Sequence, residues 1–73
     1  MTNTELLEQL INTKGIKKGK IAEKLSISYN TLKRKINNEV PFNAGEIALM
    51  CEILEIVSLE DKEAIFFAVN VDR

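Results

Sequence analysis

KKGKIAEKLSISYNTLKRKI, residues 17–36, holds two helical patches and a short break between them. Ile21, Ala22 and Leu25 form the first patch, Leu32 and Ile36 the second, and Ser26-Ile27-Ser28 separates them. A helix, a tight turn and a second helix follow from this spacing. Ala22 is small where the two helices would cross, and Leu25 with Ile27 brackets the turn, so the pair can meet at a steep angle around a shared apolar centre.

Cations crowd the outside of the same stretch. Between Lys14 and Lys35 there are eight Lys or Arg against one acid, Glu23, a local charge of 8 − 1 = +7. The whole chain nevertheless sums to −1. Residues 1–13 contribute Glu5 and Glu8, and residues 36–73 contribute eight acids against Lys62 and Arg73, so one positive face is set against an acidic remainder. Such a layout orients a protein toward a polyanion while repelling it from every other side. With 73 residues the chain makes one domain, whose core must be small and largely helical.

Working outward, Thr4 to Lys14 reads as a first helix, capped by Thr4, with Leu6, Leu7, Leu10 and Ile11 on its inner face and Gly15 ending it. The second helix is expected from about Lys18 to Leu25. Ser28 caps the third, in which Leu32 and Ile36 face inward together. Asn37, Asn38 and Glu39 break that helix, Val40-Pro41-Phe42 is an extended link, and Phe42 plugs the core. Asn43 with Glu46 resembles a capping box for a fourth helix whose inner stripe is Ile47, Met50, Cys51 and Leu54. Ser58 with Asp61 repeats the arrangement for a fifth, short helix. From Ile65 to Val71 the apolar residues alternate, the period of a strand, although Glu60 to Ala68 also fits a helix. Phe66, Phe67, Val69 and Val71 are therefore expected either to contact a second subunit or a partner protein, the favoured reading, or to plug the domain itself.

The third helix carries the recognition chemistry. Tyr29, Asn30, Lys33 and Arg34 project away from Leu32 and Ile36. Asn can pair in bidentate fashion with adenine, Arg or Lys with guanine, and a Tyr can reach a phosphate or a thymine methyl. Gly19 near the second helix start lets backbone amides approach a phosphate. No histidine, cysteine pair or glycine-rich phosphate loop is present, so an enzyme, a metal site and a cofactor are not expected. The single Cys51 fits a reducing compartment, and no apolar run is long enough to cross a membrane, so the expected location is cytoplasmic.

The runs IAEKLSISYNTLKRKINNE and FNAGEIALMCEIL together resemble the lambda-repressor and Cro-like helix-turn-helix superfamily, small phage-type regulators in particular, over Leu6 to Leu59. The resemblance implies an all-α, four- to five-helix domain, ending here in a short strand or extended tail. It implies base contact from Tyr29, Asn30, Lys33 and Arg34, and phosphate contact from Lys18 and Ser28. Lys17, Lys20, Thr31, Lys35 and Asn43 complete the expected phosphate-contacting set. The chain departs from the pattern in having Ser26 where the family often has glycine, and Lys35 immediately before the inward Ile36. The expected function is a transcription regulator of the Cro or repressor type that binds a double-stranded DNA operator as a homodimer. The alternative is an antirepressor or modulator that binds another phage regulator through its acidic or C-terminal surface.

Overall fold

The computed structural model describes residues 1–69, and five α-helices account for most of them: α1 Thr4–Lys14, α2 Lys18–Leu25, α3 Tyr29–Ile36, α4 Ala44–Ile53 and α5 Leu59–Phe66. Leu7, Ile11, Ile21, Ala22, Leu25, Leu32, Ile36, Ile47, Met50, Leu54, Ile65 and Phe66 form one buried cluster, to which every helix contributes. Leu6, Leu10, Phe42 and Cys51 pack on it half-buried. Burial pushes the Cys51 thiol above its ordinary pKa, against the pull of nearby Lys62, which keeps it in the neutral form of a small apolar residue.

Each helix starts where its sequence provides a stop for the free N–H groups, with one exception. Ser28, Asn43 and Ser58 accept from the backbone N–H groups of Thr31, Glu46 and Asp61, and Asn43 with Glu46 completes a reciprocal capping box. The first cap is Asn3 rather than the expected Thr4. Thr4 is already inside the helix, and its hydroxyl donates instead to the Ile36 carbonyl at 2.6 Å, tying α1 to the end of α3. α2 follows Lys17 at its N-cap position, which makes no side-chain cap bond.

The helix ends are tighter than the sequence suggested. Gly15 closes α1 in the left-handed conformation, φ 72°, where a glycine is expected. Ser26, Asn38 and Glu55 occupy the same region at φ 59°, 67° and 58° without being glycine. After each, the chain makes the paired bonds of a Schellman ending: Ser26 N–H to Glu23 O with Ile27 N–H to Ala22 O, Asn38 to Lys35 with Glu39 to Arg34, and Glu55 to Glu52 with Ile56 to Cys51.

The C-terminal expectation divides. α5 runs helical through Ile65 and Phe66, so the alternation there is not a strand, and no strand occurs among the described residues. Phe66 is interior, stacked edge-on against Phe42 with ring centroids 5.6 Å apart, so it is a core residue and not the surface contact expected from the sequence. Phe67 and Val69 are exposed, at 53% and 80%. Val71 lies outside the described residues. The start of the chain closes against the same region through Asn3 N–H to Ile65 O and Ala68 N–H to Met1 O.

Candidate nucleic-acid interface

The turn between α2 and α3 is built by the sequence locally. The N–H of Ile27 reaches the Ala22 carbonyl at 3.0 Å, which closes the Schellman ending, and the small Ala22 side chain is buried in the core. Ser28 then restarts the chain as a helix by accepting from Thr31 N–H at 3.0 Å. Its hydroxyl donates to Thr31 Oγ1 at 2.9 Å, so these two side chains are held together.

From there, α3 divides cleanly. Leu32, Lys35 and Ile36 are buried, whereas Tyr29, Asn30, Lys33 and Arg34 are exposed. An α-helix with its side chains is about 10–12 Å across, which fits a B-DNA major groove about 12 Å wide. The Lys33 ammonium lies 5.5 Å from the Tyr29 ring centroid, a cation–π contact that gathers two of the four side chains. Arg34 Nε stands 3.9 Å from Glu39 Oε1 with both side chains about two-thirds exposed, a loose pairing that leaves the guanidinium fork accessible. Asn30, Thr31, Lys33 and Arg34 line an open polar cleft with Asn37 and Glu39, two residues the sequence reading did not assign to the site. Their signal was position alone: they follow the helix by one and three residues.

A second shallow concavity lies on the other flank. Gly15, Ile16, Lys17, Lys18 and Gly19 line it with Tyr29, placing the start of α2 beside the first turn of α3. The cations expected at phosphates are not equivalent. Lys17 is exposed and has no ion pair among the described residues. Lys20 has only an exposed pairing to Glu23 at 3.6 Å. Lys18 is held by Glu8 at 2.7 Å, which anchors α2 to α1 and neutralises much of its field.

Lys35 and Asn43 are placed elsewhere. Lys35 is 8% exposed, with its ammonium 2.8 Å from Glu46 Oε1 and 3.1 Å from the Pro41 carbonyl, so the expectation of a phosphate contact from it does not carry over. It precedes an inward residue and lies three positions after Leu32, on the edge of the buried arc. The Asn43 side chain accepts from Glu46 N–H at 2.8 Å, which commits its oxygen to the cap of α4. Burial alone would raise the pKa of Glu46. The hydrogen bonds from Lys35 and from the Asn43 N–H, with the Lys35 charge, outweigh that effect and hold the carboxyl below its ordinary value.

The arrangement is thus a helix-turn-helix unit with a cationic rim and an exposed polar helix face. Residues 2–41 match the family model of the Mga helix-turn-helix domain. That is 40 of the 73 residues, and the chain belongs to this family of helix-turn-helix DNA-binding domains. The matched segment runs from the N-terminal residues through α3 and ends just before α4. No curated protein and no solved structure gives a match. Among the described residues no helix is long and apolar enough to cross a membrane.

Proposed function

We propose that the protein is a sequence-specific transcription regulator of the lambda-repressor and Cro-like kind, acting at an operator without catalysis. α3 lies in the major groove, where Asn30, Lys33 and Arg34 meet base edges and Tyr29 meets a base or a phosphate. Lys17, Lys20, Ser28 and Thr31 hold the neighbouring phosphates, with Lys18 joining them once it leaves Glu8, and the amides at the start of α2 carry no side-chain cap. The observation that carries this reading is the division of α3 into a buried apolar edge and an exposed face of four side chains suited to base readout. Membership in a helix-turn-helix family supports it independently.

The regulator acts as a homodimer joined through Phe67 and Val69, which brings two α3 helices into successive grooves about 34 Å apart. Selection of duplexes from a random pool by the protein alone tests the whole proposal. Enrichment of a two-fold-related motif is the expected outcome, and the absence of any enriched sequence would refute it.

A second reading has its own observation. Val57, 96% exposed, precedes α5 and Leu59, also exposed, opens it, in a stretch of sequence that carries Glu52, Glu55, Glu60, Asp61 and Glu63. An apolar spot inside an acidic surface suits a protein partner with a basic rim, as in an antirepressor that binds another regulator. In that case the protein alone would bind DNA weakly and would co-elute with the partner in size-exclusion chromatography.

A further inference from the structure

Lys35 sits at the junction between the last turn of α3 and everything that follows it. Its ammonium donates to the Pro41 carbonyl in the α3–α4 link and to Glu46 in the first turn of α4, and it stands 6.0 Å from the Phe42 ring centroid. The same Glu46 oxygen accepts from Asn43 N–H at 2.9 Å. One side chain therefore fastens α3 to the link, to the cap and to α4 at once. The backbone of α4 packs closely on α2, as does that of α3, so the Lys35 pair is a side-chain tie between the two outer helices.

Its position on the helix gives the tie a particular effect. Leu32 and Ile36 lie nearly in one line along α3 and fix its depth, whereas Lys35 is about 100° round the axis from Ile36 and resists roll. A roll of about 20° would carry a side-chain tip through about 2 Å, enough to break a bidentate hydrogen bond to a base. A buried ion pair adds little net stability over an apolar pair of the same size, and its best-attested use is to select one arrangement among several.

We infer that Lys35 is a positioning residue for sequence discrimination: held by Pro41 and Glu46, it sets the roll of α3, and with it the base edges that Asn30 and Arg34 meet, without touching DNA. This rests on the reading of α3 as the groove helix. The double variant Lys35→Met, Glu46→Gln keeps an unbranched stem in the same space and keeps an acceptor for the Asn43 N–H. The probes are the duplex most enriched from a random pool by the wild-type protein and a shuffled duplex of equal length and composition.

The expected result is a loss of affinity for the enriched duplex of about tenfold, with the shuffled duplex little changed. The slope of log affinity against log salt should stay the same, because no phosphate contact is lost. An unchanged ratio between the two duplexes overturns the inference, and so does a salt slope smaller by about one, which would make Lys35 a phosphate ligand. Should the double variant fail to fold, Lys35→Met alone, in which Glu46 keeps its bond from the Asn43 N–H, carries the same readout. Failure of the wild-type protein to enrich any duplex would overturn the operator-binding reading before a variant is made, and this inference with it.

Discussion

Replacing Ser26 with glycine should stabilise the protein, and the size of the gain follows from the turn geometry. Ser26 sits at φ 59°, ψ 39°, where a side chain crowds the following carbonyl at a cost of about 1–2 kcal/mol. Glycine removes that strain but loses more freedom on folding, a penalty of roughly 0.5–1 kcal/mol. The bonds that close the turn, Ser26 N–H to Glu23 O and Ile27 N–H to Ala22 O, are made by the backbone and survive the change. The net expectation is a gain of about 0.5–1 kcal/mol, or about 2–8 °C in melting temperature for a domain of this size. Urea unfolding followed by circular dichroism measures it, with the midpoint rising and the m-value constant. Ser26→Asn should fall between serine and glycine, since asparagine tolerates this conformation, whereas Ser26→Val should be clearly less stable than serine. A glycine variant no more stable than the wild type, or a valine variant as stable, would refute the left-handed turn.

Two further variants probe the ties around α3. Asn38 makes a two-way bond with Thr2, accepting from its N–H at 2.8 Å and donating to its carbonyl at 2.7 Å, so Asn38→Gly keeps the turn at φ 67° but loses both bonds. We expect a loss of about 1–2 kcal/mol, with faster amide exchange confined to the start of the chain; unchanged protection of Thr2 and Asn3 would count against the tie. Glu46 supplies a pH dependence of known sign. Its carboxyl titrates lower in the folded than in the unfolded chain, so its contribution is complete above about pH 4.5 and is lost as pH falls through the folded value. Stability profiles from pH 6 to about 3 should therefore be shallower for Glu46→Gln than for the wild type, and parallel profiles would show that the Lys35 partnership contributes nothing to this dependence.

Much of the architecture is legible in the sequence because its signals are local. The Ser28, Asn43 and Ser58 caps, the Gly15 stop and the apolar spacing of α2 and α3 are each decided within a few residues, and the structure reproduces them. What the sequence concealed depended on partners far along the chain. Thr4 looks like a cap until Ile36 O, 32 residues away, is available to its hydroxyl, which leaves the cap to Asn3. Lys35 looks like one more surface cation until Glu46 and Pro41 fold over it. Phe66 fits an alternating tail until Phe42 takes its ring from the side. On α3 itself, the outward set Tyr29, Asn30, Lys33 and Arg34 could be placed from periodicity because Leu32 and Ile36 define the buried edge. Asn37 and Glu39 could not, since they lie past the helix end, where periodicity stops.

The most direct test of the central claim is a titration of the duplex enriched by the wild-type protein with Asn30→Ala and Arg34→Ala. Both side chains are exposed and outside the core, so circular dichroism spectra and melting temperatures should match the wild type. If α3 reads base edges, each variant loses about 1–3 kcal/mol of cognate binding, roughly a fivefold to 150-fold weakening. Wild-type affinity in both variants would contradict it.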